Sequence, residues 1–159
     1  MRVKVYIETS VVSYYAARPS RDVVVAGHQQ ATHDFWVRLS LDFEPFVSAV
    51  VLGESGKGDA EQAANRLQAI RTFRVFQITP QAQELSRRIV EGGGIPAEYP
   101  EDALHIALAA IGGVDFLVTW NFAHINNPFT RMMIRQIVEN EGYVCPEIVS
   151  PDELLGEDT

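Results

Sequence analysis

A chain of 159 residues, 47% hydrophobic and 21% charged, has the balance of one globular domain large enough to bury a core. Its single cysteine, Cys145, excludes an internal disulfide and a thiolate metal cluster, and no signal-peptide core or bilayer-long apolar stretch is read in it, so a cytoplasmic protein is expected. Thirteen Lys and Arg face 21 Asp and Glu, a net charge of −8, which counts against a surface that grips long nucleic acid unless bound cations offset it.

Val3–Ile7 is β-branched and aromatic and reads as a strand. Asp22 suits an N-cap, and His28, Ala31, Phe35 and Leu39 then recur at helical spacing, which predicts a long amphipathic helix over 22–41. Phe43–Ser48 is a second strand with Pro45 near its start. Ser48 can cap a short helix, Ala49–Ser55, which Gly56-Lys57-Gly58 breaks. Asp59 with Gln62 three residues on is a capping-box spacing, opening a helix over 59–71. Residues 75–78 form a third strand. Thr79-Pro80 starts a helix that ends at Gly92-Gly93-Gly94. Pro100 opens the next, over 101–111, apolar almost all round and so expected to be buried. A fourth strand follows at 116–119, a helix capped by Asn127-Pro128 and closed by Gly142, and a last strand, Glu147–Val149. Ser150 with Glu153 is one more capping box.

Strands alternating with helices imply a parallel sheet covered on both faces: a three-layer α/β/α sandwich of about five strands, one domain over residues 1–159. In such a sheet, sites form beyond the carboxyl ends of the strands. Glu8 follows the first strand directly, Glu54 lies in the helix after the second, and Asn121 comes two residues after the fourth. Asp102 sits in the first turn of the helix that feeds the fourth strand, and so at the same edge. Three carboxylates and one amide thus converge. Their repulsion is relieved by a hard divalent cation, Mg²⁺ or Mn²⁺, which could hold a phosphodiester and activate a water. Each residue alone has a plainer explanation: a helix dipole for Glu101 and Asp102, a strand end for Glu8, a solvated helix face for Glu54. The inference rests on their joint position.

Four segments, Tyr6-Ile7-Glu8-Thr9-Ser10, Val47-Ser48 through Glu54, Asp102-Ala103-Leu104-His105-Ile106-Ala107 and Leu117-Val118-Thr119-Trp120-Asn121, resemble the PIN-domain family, which includes the toxins of VapBC toxin–antitoxin systems. Order, spacing and surrounding elements agree over nearly the entire chain. The resemblance implies a metal-dependent endoribonuclease with Glu8, Glu54 and Asp102 as metal ligands and Asn121 in the last acidic position. It maps the hydroxyl after the first acid to Ser10, with Thr9 as second candidate. The implied partners are an RNA substrate, a small antitoxin protein and a second copy of the chain, with no membrane. Two departures stand out: the family's first acid is aspartate and here is Glu8, and its last is aspartate and here is Asn121. Asp115 precedes its strand and belongs at the opposite edge.

Two other functions compete: a binding module of the same fold without catalysis, and another metal-dependent phosphohydrolase on an α/β sheet. Gly53 through Gly58 lacks the glycine and hydroxyl of a phosphate-binding loop. His105 reads as a satisfied core histidine, Met132 and Met133 as core, and Cys145 as no nucleophile. His124 reads either as a polar loop residue or as lining the site. The paired arginines (Arg18 and Arg21, Arg71 and Arg74, Arg87 and Arg88, Arg131 and Arg135) read as solvated helix surface. Phe35, Trp36 and Leu39 exceed what one buried stripe requires. They suggest an antitoxin segment docked between the helices at 22–41 and 59–71, presenting an arginine to the acids; the alternative is Trp36 as ordinary core.

Overall fold

The computed structural model describes residues 2–156. Its centre is a five-stranded sheet in the order β3-β2-β1-β4-β5, every neighbouring pair parallel. The strands are β1 (Val3–Ile7), β2 (Phe43–Ser48), β3 (Arg74–Phe76), β4 (Phe116–Val118) and β5 (Glu147–Val149). The helices are α1 (Thr9–Ala16), α2 (Val23–Asp42), α3 (Ala49–Ser55), α4 (Ala60–Ala69), α5 (Pro80–Glu91), α6 (Pro100–Ile111) and α7 (Pro128–Asn140), followed by a 3₁₀ turn, Pro151–Leu154. Among them α1 packs with α2 and α4, and α5 with α6 and α7, completing an α/β/α sandwich.

β1 is the middle strand, and its Val5, Tyr6 and Ile7 are fully buried, as a strand covered on both faces requires. The chain builds outward to β2 and β3 on one side, then crosses to β4 and β5 on the other. The strand order therefore reverses between β1 and β4, where loops leave in opposite directions and open a crevice. Ile7 pairs with Val118, so the residues just beyond, Glu8 and Thr119, arrive side by side.

Local chemistry explains the helix starts. Asp22, Ser48, Asp59, Thr79 and Asn127 each accept a backbone N–H at their helix N-terminus, as expected. Two strands are shorter than expected because their partners end: β3 stops at Phe76, opposite Ser48, and β4 at Val118, opposite Ile7. One helix was not expected at all. α1 begins with Thr9, and its β-branched Val11 and Val12 disguise it, but both are fully buried and Glu8 caps it by accepting the Ser10 N–H. Gly112 is required by close approach, since a Cβ there would lie 2.3 Å from the Phe76 ring.

The surface agrees with the plainer readings. Arg87 and Arg88 pair with Glu84 and Glu91 on exposed α5, and Arg135 with Glu139 and Glu147. Burial pushes the Cys145 thiol up to about 11, which keeps it protonated and inert. Met132 and Met133 are corrected: 78% and 40% exposed, they lie on the outer face of α7. The docking surface drawn on α2 is also revised. Phe35 and Leu39 are buried, and half-buried Trp36 stacks on Tyr15 at 4.0 Å between ring centroids and leans on Phe73. The apolar side chains that α2 leaves to solvent near its end are Val37 and Leu41. Among the described residues no helix is long and apolar enough to cross a membrane.

Candidate metal centre

Glu8 and Glu54 come from different elements, the end of β1 and the short helix α3, yet meet at the carboxyl edge of the sheet. Together with His105 they offer ligand atoms that all lie within 4.8 Å of one another. Glu8 is 5% exposed. Its carboxylate accepts the Ser10 N–H at 3.1 Å, the Ser10 hydroxyl at 2.5 Å and the Thr119 hydroxyl at 2.5 Å. The Ser10 Oγ in turn accepts the Trp120 N–H, tying α1 to the end of β4. All these donors are neutral, so they orient the negative charge without cancelling it.

Glu54 is held differently. Its Oε1 accepts the Thr9 hydroxyl at 2.6 Å and His105 Nε2–H at 2.7 Å. With Nε2 donating, His105 Nδ1 faces the Tyr6 hydroxyl, 2.7 Å away, and the Tyr6 oxygen meets the Ser48 hydroxyl at 2.7 Å. Ser48 Oγ also accepts the Val50 and Val51 N–H groups that start α3, so the capping residue of the Glu54 helix anchors the same chain of bonds. Burial raises the Glu54 carboxyl, but the His105 hydrogen bond and charge outweigh it, and its pKa falls below the usual value. Burial likewise disfavours a charged His105, yet the Glu54 hydrogen bond and the charges of Glu8, Glu54 and Asp102 leave its pKa raised. Burial above all pushes the Tyr6 hydroxyl well above its usual pKa, so it remains a proton donor.

The other expected residues border this cluster. Asp102 lies one helical turn before His105 on α6, close enough to contribute to its field, but its Oδ2 is paired with His124 Nδ1 at 3.0 Å. Glu101 points to solvent. Asn121 reaches the same edge, where its Oδ1 accepts the His124 N–H at 3.0 Å and its own N–H donates to Thr119 Oγ1. Its amide thus shapes the loop after β4. Ser10 and Thr9 each hold one of the two glutamates, and His124 holds Asp102. His105 is, as expected, a satisfied core histidine, 0% exposed with both nitrogens bonded. The sequence reading did not see that its partner is Glu54, nor the roles of Thr119, Tyr6 and Ser48. The available signals were the position of Thr119 one residue beyond the strand beside Glu8 and the three-residue spacing of Asp102 and His105 on one helix face.

No protein-family model matches the sequence, and no curated protein matches it. Among solved structures, the chain is similar to one from VapBC2 of Rickettsia felis, crystallised bound to a DNA fragment from their promoter, with a TM-score of 0.57 at 17% identity over 79% of this chain and 94% of that one. A match to tyrosyl-tRNA synthetase of Archaeoglobus fulgidus in complex with L-tyrosine, over 93% of this chain and 55% of that one, has a TM-score of only 0.41 at 14% identity. The shared feature is the fold: an all-parallel α/β/α sandwich of the kind found in VapBC2, here with two glutamates and a histidine gathered at the strand ends.

Proposed function

We propose that this chain is a metal-dependent endoribonuclease of the PIN kind, the toxin of a toxin–antitoxin pair. The observation that carries the proposal is the juxtaposition of Glu8 and Glu54, two carboxylates from distant elements, at the crevice where the strand order reverses. Among the described residues no Lys or Arg forms an ion pair with Glu8, Glu54 or Asp102; the partners of the last two are histidines. Such a set of hard oxygens with its charge unbalanced suits Mg²⁺ or Mn²⁺.

Glu8 and Glu54 would hold the ion, with Asp102 beside them. His105 is better assigned to the layer behind: it is fully buried, its Nε2 proton is spent on Glu54 and its other nitrogen on Tyr6. Groups of this kind fix the orientation of a ligating carboxylate and raise the precision of the site. Ser10 and Thr119 do the same for Glu8. When bound, the ion supplies Lewis-acid stabilisation of charge developing on a phosphodiester. A protein partner of the antitoxin kind belongs to the proposal, supported by the fold shared with VapBC2 and by the exposed Val37 and Leu41 of α2. A cytoplasmic setting fits the single buried, protonated thiol.

One observation favours a second reading, a PIN-fold module that binds without cutting: Asn121 brings no charge, and its amide oxygen is occupied by a backbone N–H. Incubating short single-stranded RNA with the protein and Mn²⁺, with EDTA and Asp102→Asn as controls, separates the two. Cleavage that needs the metal and Asp102 supports the nuclease; RNA bound but intact under every divalent ion tested would leave the binding module.

A further inference from the structure

We infer that Tyr99 and His124 form an aromatic platform that stacks a nucleobase of the substrate at the border of the carboxylate cluster. The inference names base-contacting residues for the site proposed above and rests on that reading. Tyr99 is the residue before α6, 47% exposed, and its ring lies 4.0 Å from that of His124, tilted by 30°. The Tyr99 backbone carbonyl accepts the Asp102 N–H that starts α6, but its side chain makes no capping bond and so has no evident part in starting the helix. His124 supports it from below and is itself fixed at two points: Asp102 holds its Nδ1, and Asn121 Oδ1 holds its backbone N–H. This gives the Asp102 and Asn121 side chains a common task, to lock an imidazole under an exposed phenol. Asp102 stands one turn before His105 on the same helix, and His105 bonds Glu54, so the platform is tied to the cluster through α6.

The loop after β4 carries a second exposed ring. Phe122, on the same loop as His124, is 47% exposed and sits edge-on to Trp120, at 5.9 Å, and to His28, at 6.0 Å; the last two rings are stacked at 4.1 Å. Two exposed aromatic rings, Tyr99 and Phe122, therefore pack against residues of the loop after β4 and its start. The charge balance makes stacking the natural grip. A chain with a net charge of −8 is poorly suited to hold a polyanion by counterion release, whereas a π-face binds any base irrespective of protein charge. Bases in a duplex have both faces covered, so only an unpaired base can use such a platform.

Binding of a short single-stranded RNA carrying a fluorescent adenine analogue, quenched on stacking, tests this in EDTA, where no cleavage occurs. Tyr99→Ala should weaken binding roughly 5- to 150-fold and abolish the quenching, while Tyr99→Phe retains both. Wild-type affinity should fall when the same strand is annealed into a duplex. Equal affinity of wild type and Tyr99→Ala, equal affinity for strand and duplex, or no RNA binding overturns the platform. Cleavage of RNA by a wild type whose Tyr99→Ala variant binds equally well would refute the platform alone, whereas Tyr99-dependent quenching without cleavage under any divalent ion would refute the nuclease alone.

Discussion

The glutamates of this protein occupy two opposite settings. On α5, Glu84 and Glu91 stand in solvent, each paired with an arginine one turn away. At the sheet edge, buried Glu8 and half-buried Glu54 are met by hydroxyls, a backbone amide and a histidine, with no Lys or Arg ion pair among the described residues. The surface pairs are screened and cost little to lose. The lowered pKa of Glu54 keeps that carboxylate charged in a place where charge is expensive, and the folded chain tolerates that through fixed dipoles and buried packing. Residues of one type therefore announce different purposes by their company: arginine neighbours mark acids that the fold has neutralised, and hydroxyl, amide and imidazole donors mark acids kept available for something that arrives from outside.

Four measurements would break or sharpen this contrast. The largest effect belongs to Glu54→Gln, which should reduce RNA cleavage and Mn²⁺ affinity by more than the roughly 10- to 100-fold typical of losing an outer partner; Thr119→Val, which removes only the hydroxyl holding Glu8, should fall within that range. Calorimetric titration gives both, and an unaltered affinity in Glu54→Gln would remove the edge pair from the metal site. Next is thermal stability. Mn²⁺ at about a hundred times its dissociation constant should stabilise the wild type by roughly 2.7 kcal/mol, about 5–10 °C in melting midpoint for a domain of this size, and Glu8→Gln should abolish most of the shift.

The third effect is pH-dependent and smaller, measured in EDTA as the difference in melting midpoint between wild type and Glu54→Gln. The lowered Glu54 pKa stabilises the fold above its ordinary value of 4.5 and that contribution is lost as pH falls through the lowered value. The raised His105 pKa stabilises the fold below its ordinary value of 6.5, a contribution lost as pH rises through the raised value. The contribution of the pair is thus greatest between 4.5 and 6.5 and shrinks on both sides; a difference independent of pH would mean the pair does not ionise as the geometry implies. Smallest of all, Glu84→Gln on the exposed face of α5 should leave the melting midpoint and any RNA cleavage unchanged within error.

The strands and most helices were legible because their signals are local: β-branched runs, capping residues, and glycine or proline stops. α1 was not, since Thr9, Val11 and Val12 favour a strand locally and only their burial against the sheet and the Glu8 cap make the helix. The edge location of Glu8, Glu54 and Asp102 followed from topology alone. What topology could not supply was which side chain each would meet. His105 was correctly read as buried and satisfied, but its partner lies 51 residues away, and no periodicity connects them. Nor could topology show that the Asn121 side chain bonds the backbone of His124. Trp36 shows the limit of counting apolar residues on a helix, because a flanking aromatic residue can be covered by a neighbouring element, here Tyr15 of α1.

The hydrogen bond between Thr119 and Glu8 spans 111 residues of chain, and this has a consequence for synthesis. β1 is made before the other four strands, yet it is the middle strand and gains its second neighbour only when β4 has been made. Until then one edge of β1 stays open and Glu8 lacks its partner across the crevice. A partly translated chain, or one released before residue 119, therefore cannot carry the completed site. The order of strands imposes a delay between the synthesis of the first acid and the completion of its hydrogen-bonded setting, which waits for residue 119.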